Sequence, residues 1–427
     1  MSYRVMVRVS RQNVGRPLSA WRMVVGLGLV SLTADMVADG GKSLYGPLLG
    51  ALGASGLVIG LVTGAAEGVS LLLRVAVGPL ADRRGNHWSW TIAGYAMTAL
   101  CIPLLAVTPV VGAAGLGVAT FLILVERVGK AVRSPSKTAL LAHAAGAVGR
   151  GRGFGVHKTL DLIGAVSGPL LVAAVLAGTG AMWPAMLVLV VPGILTMALL
   201  LWMRRRVPDP SIYDPASGEH ASTATPPEPE SWWAQALGRG LPTEFFLYAA
   251  AVGLTTGGLV SYAIISFHFT RQGLVTIAAI PLVFALGMVA AALAALANGW
   301  LYDRVGPRVL LVLPLLVAMV PPLTLGGGLG LALVGIVCWG GAGGLQDSTI
   351  KALVADMVPS SRRATAYGVF AAIQGLAALA GGALIGALYD SAPSLLTILV
   401  AASQAVAGAL LVVVLLRQRR THDSRRS

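Results

Sequence analysis

Charged side chains lie inside an otherwise apolar stretch that runs from Glu126 to Pro169. The stretch contains the acids Glu126 and Asp161, the histidine His157, and the bases Arg127, Lys130, Arg133 and Lys158. A charge near the centre of a bilayer costs about 3 kcal/mol on insertion scales, so such residues normally face a protein interior or a water-filled path. The stretch is therefore the first candidate for a functional site.

Helical spacing places the charges of each segment on one face. Four groups of charged or titratable residues are spaced three, four or seven residues apart, which places each group on one helical face. They are Asp35, Asp39 and Lys42; Glu67 and Arg74; Glu126, Lys130 and Arg133; and His157 and Asp161. The helical rise per residue predicts that Asp35 and Glu67 lie near mid-depth. It also predicts that Arg133 and Lys137 approach the membrane boundary, where a long basic side chain can reach water.

Two interpretations of these charges stay open. Acids and bases can pair into a buried network, for instance Glu126 or Asp161 with Arg74, Arg127 or Lys130. Alternatively, a carboxylate carries a proton while an arginine binds substrate. The candidate residues for proton coupling or substrate binding are Asp35, Asp39, Lys42, Glu67, Arg74, Glu126, Arg127, Lys130, His157, Asp161, Trp339, Gln346, Asp347 and Gln374.

Composition indicates what surrounds these charges. The chain has 427 residues, of which 56% are hydrophobic and 11% charged, and its mean hydropathy is +0.79. A soluble domain could not cover so much apolar surface. Apolar runs of about 20 residues without polar alternation predict an all-α membrane protein surrounded by lipid rather than a barrel. The net charge of +14 lies mainly in short connections and tails, which is typical of membrane topology, so no nucleic-acid partner is expected.

Apolar spans bounded by charge, Gly or Pro predict roughly twelve transmembrane helices in two bundles of six. The predicted spans are 20–49, 55–80, 88–109, 112–142, 153–177 and 181–203, then 243–270, 274–301, 308–325, 329–357, 365–389 and 393–416. Residues 1–203 and 242–427 are predicted to form the bundles, and the polar segment 204–241 a cytoplasmic linker. Lys and Arg collect on one side, which predicts that both termini are cytoplasmic.

The two halves also repeat short motifs. GPLADRRG from Gly78 to Gly85 recurs as GWLYDRVG from Gly299 to Gly306, and the residues from Lys137 to Gly155 align without gaps to those from Ile350 to Gly368. In this register, Trp339 takes the place of Glu126. Parallel halves of this kind predict a central path between two duplicated bundles.

The helix number, the central linker and the paired G-x-x-x-D-R-x-G loops resemble the major facilitator superfamily of secondary transporters. The resemblance covers nearly the whole chain, and the ERVGKAVRSP and GFGVHKTLD segments are similar to a prokaryotic subgroup. It implies that the loop residues act in gating; these are Gly78, Asp82, Arg83, Gly85, Gly299, Asp303, Arg304 and Gly306. Gly164, Gly168 and Pro169 resemble part of an antiporter motif, although small residues four apart also serve close packing.

The leading hypothesis is a multi-pass secondary active transporter of a prokaryotic cytoplasmic (inner) membrane, monomeric and working by alternating access. It would export a small molecule in exchange for protons, and an excess of bases in the first half favours an anionic substrate. The alternative within transport is proton-coupled uptake or exchange of an organic anion. A membrane-bound sensor or lipid-handling protein is a hypothesis of a different class. No enzyme, cofactor or metal site is predicted, because no nucleotide loop, nucleophile–base pair or ligand cluster stands out, and Cys101 and Cys338 lie in separate apolar runs.

Overall fold

The computed structural model of the protein describes residues 18–214, 241–358 and 362–423. In these ranges the regular structure is helical and no β-strand occurs. The N-half contains α1 (Ala20–Lys42), α2 (Tyr45–Ala51), α3 (Gly56–Arg84), α4 (His87–Leu104), α5 (Gly115–Val148), α6 (Arg150–Thr179), α7 (Met182–Leu187) and α8 (Val190–Arg206). The C-half contains α9 (Thr243–Gly258), α10 (Tyr262–Arg271), α11 (Ile280–Val305), α12 (Val312–Leu325), α13 (Leu329–Met357), α14 (Arg363–Ser391) and α15 (Pro393–Asp423).

Ten apolar helical stretches in the described ranges are long enough to cross a membrane. Two of them, His87–Val148 with 62 residues and Ile277–Leu325 with 49, each hold two long helices joined through 3₁₀ turns. Glycines with positive φ, Gly112 at 66° and Gly306 at 66°, allow the chain to turn there. The described residues therefore form twelve crossings, six in each half, as the sequence predicts.

Several predicted helices are not continuous. The expected helix 20–49 breaks after Lys42, and the expected helix 181–203 breaks after Leu187. Pro47 and Pro192 explain these breaks, because a proline has no N–H to bond the carbonyl four residues earlier. The expected helix 243–270 breaks after Gly258, where the Ser261 hydroxyl caps the next helix by accepting from the Ile264 amide at 3.4 Å.

The end of each bundle can be recognised by its charge. We call the end at which α8 finishes with Arg204–Arg206 the basic end, and the opposite end the far end. Past α8, a 3₁₀ turn at Pro210–Tyr213 returns to the N-half, where the Tyr213 hydroxyl donates to the Leu18 carbonyl at 2.6 Å. Most of the predicted linker, residues 215–240, lies outside the described residues.

Two long helices of each half begin at equivalent positions. Arg150 begins α6 and Arg363 begins α14, an offset of 213 residues, and α5 and α13 start one residue from that register. This offset is the one that the loop alignment predicts. The duplicated scaffold is thus present in three dimensions, with a matched helix on each side of the molecule.

The halves meet along a glycine seam between α3 and α14. Gly60 packs on the Gly382 carbonyl and Gly64 on the Ala378 carbonyl, so closely that any Cβ on Gly60 would collide with backbone. Gly46 of α2 packs in the same way on the Ala263 carbonyl of α10. Small residues let membrane helices approach at backbone distance, and the seam closes the far half of the space between the bundles.

Candidate functional site

A cavity of about 620 Å³ lies between the two halves. Helices α1, α3, α5 and α6 supply its N-half wall, while α9, α10, α11, α13 and α14 supply most of its C-half wall. Breaks in the first membrane helix of each half also reach it, through Lys42 and Tyr45 on one side and Val260 to Tyr262 on the other. Interrupted helices are the usual way in which a membrane protein builds a polar site at depth.

The cavity brings together twelve of the fourteen residues predicted for proton coupling or substrate binding. They are Asp35, Asp39, Lys42, Glu67, Arg74, Arg127, Lys130, Asp161, Trp339, Gln346, Asp347 and Gln374. The remaining two, Glu126 and His157, are buried but do not line it. Glu126 pairs with the lining residue Arg127, and His157 is linked to the lining residue Lys137 through the Ser31 hydroxyl.

Glu126 forms a buried pair with Arg127. The Arg127 Nε atom lies 3.2 Å from Glu126 Oε2, and both side chains are at most 5% exposed. Thr98 donates a hydrogen bond of 3.4 Å to the other Glu126 oxygen. The pairing hypothesis for Glu126 thus matches the geometry, and the pair holds Arg127 at the cavity wall.

Asp161 pairs with lysines rather than with the bases that the sequence suggests. Lys158 Nζ lies 2.9 Å and Lys137 Nζ 3.9 Å from its carboxylate. The carboxyl group of Asp35 comes within hydrogen-bonding reach of Asp161, and Arg133 lies 4.0 Å from Asp35. Since two carboxyl groups bond to each other only when one is protonated, this contact can hold a single shared proton.

Arg133, which the helical rise predicts near the membrane boundary, is buried among side chains of the N-half. Its side chain is 5% exposed, donates to the Thr98 hydroxyl and lies over the Tyr95 ring at 4.6 Å. The aromatic face and the hydroxyl take the place of water around the guanidinium. Arg133 and Lys137 both line the cavity.

His157 belongs to a polar cluster behind the cavity wall. Its Nε2 atom lies 3.0 Å from the Ser31 hydroxyl, which also contacts the Tyr95 hydroxyl at 3.2 Å and accepts from Lys137 Nζ at 3.2 Å. Through Lys137, this cluster connects to Asp161. His157 is therefore hydrogen-bonded within the N-half and does not contact the cavity itself.

Four charged side chains that line the cavity have no oppositely charged partner within 4 Å among the described residues. They are Glu67, Arg74, Lys130 and Asp347. Asp39 and Lys42, by contrast, pair with each other at 3.1 Å. Arg74 donates to the Ser70 hydroxyl at 3.1 Å, but this leaves its Nε atom without a partner.

Four buried donors of cavity-lining residues lack a hydrogen-bond acceptor in the described structure. They are the Tyr45 hydroxyl, Arg74 Nε, Arg127 Nη1 and Gln346 Nε2. A buried donor without an acceptor costs about 1–3 kcal/mol. A ligand or water that brings acceptor atoms into the cavity would remove this cost.

Sequence reasoning missed several uncharged lining residues. Tyr45, Tyr262 and Phe284 all face the cavity, and charge alone could not identify them. Thr63, the equivalent of Phe284 at the 221-residue offset between the paired loops, lines the cavity as well, but the sequence does not single it out either. Lys158 was noticed as a charge but not assigned to the site.

The loop residues expected to act in gating lie at the basic end. The side chains of Asp82 and Arg83 fall outside the described residues. Gly85 and Gly306 adopt positive φ values of 62° and 66°. A Cβ added to Gly78 or Gly299 would meet no atom within 4 Å, so close packing does not require glycine there. Asp303 is exposed, and Arg304 lies 3.6 Å over the ring of Trp300 in its own helix.

The antiporter-like glycines pack against the first helix. Gly164 and Gly168 lie directly on the Leu32 and Met36 carbonyls of α1, and Pro169 is buried beside them. This is the close-packing role that small residues four apart also predict. The motif therefore fixes the distance between α1 and α6, which carry Asp35 and Asp161.

At the far end, polar contacts join the halves. The Gly56 amide donates to Asp390 at 2.7 Å, and Arg271 pairs with the same carboxylate at 2.6 Å. Nearer the cavity, the Thr63 hydroxyl donates to Ser261 at 3.1 Å. Together with the glycine seam, these contacts close the far end. In the other direction the cavity extends toward the basic end, where Lys158 and Asp347 line it.

Comparison with known proteins agrees with this architecture. The family model described as Major Facilitator Superfamily matches residues 27–292 and 275–427. Uncharacterized proteins of Mycobacterium tuberculosis and Mycobacterium bovis are 46% identical over 403 residues, covering 94% of this chain and 95% of theirs. An uncharacterized MFS-type transporter of Methanocaldococcus jannaschii is 29% identical over 145 residues, covering 34% of this chain and 35% of its own.

Solved structures share the fold at low identity. A mutant of the nucleoside transporter NupG aligns with a TM-score of 0.71 at 13% identity, over 92% of this chain and 99% of that one. A POT family transporter in complex with 5-aminolevulinic acid gives 0.69 at 12% identity, over 92% and 96%. A bacterial homolog of the human lysosomal transporter Spinster, inward-facing and unoccupied, gives 0.61 at 16% identity, over 93% and 95%.

Proposed function

The chain belongs to the Major Facilitator Superfamily, and we propose that it is a secondary active transporter that couples the movement of a small anionic molecule to protons. The observation that carries this proposal is the cavity between the halves: its N-half wall is charged, and among the described residues Asp347 is the only charged one in its C-half wall. Its volume of about 620 Å³ suits a small organic molecule. A site at the interface of two repeats is accessible from alternate sides when the bundles rock.

The charge of the wall supports an anionic substrate. Of the side chains that the structure describes, seven basic and five acidic ones line the cavity; they are Lys42, Arg74, Arg127, Lys130, Arg133, Lys137 and Lys158, and Asp35, Asp39, Glu67, Asp161 and Asp347. The four unpartnered donors, two of them on arginines, add to this preference. Charge-assisted hydrogen bonds to a carboxylate or phosphate are stronger than those to neutral acceptors.

The acids of the same wall are suited to carry protons. Asp35 and Asp161 are close enough to share one proton, and Lys137 and Lys158 stand beside Asp161. Glu67 has no oppositely charged partner within 4 Å among the described residues, so its charge is free to respond to an arriving proton or substrate. Protonation of these groups would change how strongly the neighbouring bases hold an anion.

The proposed cycle starts from the conformation with the far end closed. Breaking the contacts of Asp390 and Thr63 across the halves would open the far end while the basic end closes. With the basic end in the cytoplasm of a prokaryote, as the positive-inside rule predicts, this conformation exposes the cavity to the cytoplasm. We propose efflux by a monomer in the cytoplasmic (inner) membrane, with both termini cytoplasmic. The antiporter-like Gly164, Gly168 and Pro169 support that direction.

Proton-coupled uptake or exchange of an organic anion is the second candidate. The same excess of bases favours it, because the charges of the wall do not depend on the direction of movement. The direction of net flux under an imposed gradient separates the two candidates.

Transport by the purified protein in proteoliposomes tests the proposal. A panel of nucleosides, 5-aminolevulinic acid, and aliphatic and aromatic carboxylates is offered with and without a pH gradient. We expect at least one anionic compound to move faster when the gradient is imposed. Flux that does not change when the gradient is collapsed, for every transported compound, would contradict proton coupling.

Variants assign the effect to the cavity. Asp35→Asn and Glu67→Gln are expected to abolish gradient-driven transport while the protein stays folded. Glu244→Gln is the matched control, since this carboxylate pairs with Arg417 at the basic end and does not line the cavity. Normal gradient-driven activity in both cavity variants would remove these residues from the mechanism.

A further inference from the structure

Three aromatic rings meet in the C-half wall of the cavity, opposite the charged wall. Tyr262, Phe284 and Trp339 all line the cavity, with ring centroids 4.7 Å apart for Tyr262 and Phe284, 5.4 Å for Tyr262 and Trp339, and 5.9 Å for Phe284 and Trp339. Three different helices supply them. We call this group the aromatic cluster.

Within the aromatic cluster, Trp339 is the most exposed side chain. Tyr262 and Phe284 are 5% and 3% exposed, whereas Trp339 is only partly buried. The Tyr262 hydroxyl donates to the Ile280 carbonyl at 2.5 Å, which fixes that ring. Tyr262 and Phe284 therefore pack against Trp339 and support it, and the indole of Trp339 lines the cavity.

A glycine makes room for the Trp339 ring. A Cβ on Gly287 would lie 2.9 Å from Trp339 Cζ3 and 3.0 Å from Cε3, closer than such contacts tolerate. Any larger residue at this position would push the ring from its place. The position of Trp339 is thus set by Gly287 on one side and by the two buried rings on the other.

Trp339 lies across the cavity from the arginine and lysine of α5. The offset of 213 residues that relates α6 to α14 makes Trp339 the equivalent of Glu126, next to Arg127. Residues that are equivalent in parallel repeats lie at the same depth on opposite sides of the central axis. A molecule in the cavity can therefore touch the Trp339 ring and the Arg127 and Lys130 side chains together.

From this arrangement we infer that the substrate is an organic anion with a planar aromatic group, whose ring packs on Trp339 and whose anionic group binds Arg127 and Lys130. Aromatic pairs gain energy beyond the area they bury, and guanidinium groups bind carboxylates by charge-assisted hydrogen bonds. Met288, Leu259 and Ile385 also line the cavity and provide apolar surface. The inference rests on the proposed function, because it narrows the substrate class of the same site.

Binding of three matched probes to the full-length protein in lipid nanodiscs, measured by calorimetry without any gradient, tests the inference. The probes are 2-naphthoate, its saturated analogue decahydro-2-naphthoate, and the neutral 2-naphthamide. We expect 2-naphthoate to bind about two- to tenfold more tightly than decahydro-2-naphthoate, the ratio that an aromatic contact provides. The amide, which has no charge, is expected to bind about tenfold more weakly than 2-naphthoate.

Variants show which residues cause the preference for the aromatic acid. Trp339→Leu should bring the naphthoate-to-decahydronaphthoate ratio to about one, since it keeps an apolar side chain and removes the ring. Gly287→Ala should lower the same ratio while keeping all three rings. Trp183→Leu is the control, because Trp183 is 56% exposed and does not line the cavity. Monodisperse gel-filtration profiles establish that the variants fold.

Equal binding of the saturated and aromatic acids, an unchanged ratio in folded Trp339→Leu, or no saturable binding of any probe in the millimolar range would overturn the inference. The outcome is separable from that of the proposed function. Gradient-driven transport of a non-aromatic anion together with absent naphthoate binding would sustain the transporter and reject the aromatic substrate. Selective naphthoate binding without any effect of a pH gradient on flux would support the aromatic substrate and reject proton coupling.

Discussion

The two halves of the molecule share a scaffold and differ in chemistry. Helices α6 and α14 begin 213 residues apart, at Arg150 and Arg363. In that register Glu126 is replaced by Trp339 in the C-half. In the same way, Arg133 corresponds to Gln346 and Asp161 to Gln374. Each of these positions is charged in the N-half and neutral in the C-half.

The difference separates what the fold needs from what the site needs. A charge at membrane depth is costly, and the C-half forms an equivalent set of helices without these charges. The packing of glycines and apolar side chains is therefore sufficient for the scaffold. The charges of the N-half serve the cavity, where they stand opposite the aromatic cluster of the C-half.

The largest expected effect comes from the buried pair of the N-half. Arg127→Ala leaves Glu126, which is fully buried, without its cation. Breaking a buried ion pair by removing one partner costs about 3–5 kcal/mol. We expect a marked drop in the thermal unfolding temperature of the purified protein in detergent.

The double variant Glu126→Gln with Arg127→Gln is the control for this prediction. Removing both charges avoids the uncompensated carboxylate, so the double variant should be more stable than Arg127→Ala alone. A double variant that is as unstable as the single variant would show that the cost of Arg127→Ala does not come from the uncompensated Glu126 carboxylate.

A second test of the difference between the halves compares the equivalent positions Arg133 and Gln346. Arg133→Ala removes a buried guanidinium that donates to Thr98 and lies over the Tyr95 ring. Losing a hydrogen bond to a charged group costs about 1.5–3 kcal/mol. The equivalent Gln346→Ala should cost less, because Gln346 Nε2 has no acceptor to lose. Equal losses of unfolding temperature at both positions would contradict the asymmetry.

The glycine seam should respond to a smaller change. Gly60→Ala places a methyl group against the Gly382 carbonyl, and overpacking of this kind costs about 1–3 kcal/mol. The cost falls on the conformation in which the far end is closed. Spin labels on Ala114→Cys and Gly328→Cys, two exposed far-end positions, in a background without Cys101 and Cys338, should report longer distances.

Gly408→Ala is the matched control for the seam, since a Cβ there meets no atom within 4 Å. It should leave the distance between the spin labels unchanged. If Gly60→Ala also leaves that distance unchanged, the seam does not control the closure of the far end.

The smallest expected effect is at the far-end pair of Arg271 and Asp390. The two side chains are 56% and 34% exposed, and exposed pairs contribute only about 0.2–1 kcal/mol. Asp390→Asn should therefore lower the unfolding temperature slightly, and less in high salt, where the pair is already screened. A loss as large as that of Arg127→Ala would contradict the view that buried charges are concentrated in the N-half.

The sequence predicts the scaffold well because its signals are local. Apolar length, the paired loops and the central polar segment are enough for twelve crossings in two halves. The helix breaks after Lys42 and Leu187 follow from Pro47 and Pro192, so they too could have been read locally. The break after Gly258 is less apparent, because it depends on Ser261 capping the next helix.

The site is predicted less completely because it depends on contacts across the bundle. Helical spacing identified the residues of the charged wall, but it could not show that Asp161 selects Lys158 and Lys137. It also could not show that Arg133 contacts Thr98 and Tyr95, which lie on a different helix. The aromatic cluster carries no charge, so nothing in a charge-based reading distinguishes Phe284 from other core residues.

Replacing an N-half charge by the chemistry of its C-half equivalent tests the central proposal most directly. In proteoliposomes, Asp161→Asn and Gln374→Ala are compared for gradient-driven flux and for gradient-independent counterflow of a transported anion. We predict that Asp161→Asn loses gradient-driven flux and keeps counterflow, whereas Gln374→Ala keeps its response to the gradient. Gradient-driven flux that survives in Asp161→Asn, or is lost in Gln374→Ala alone, would contradict the assignment of proton coupling to the N-half.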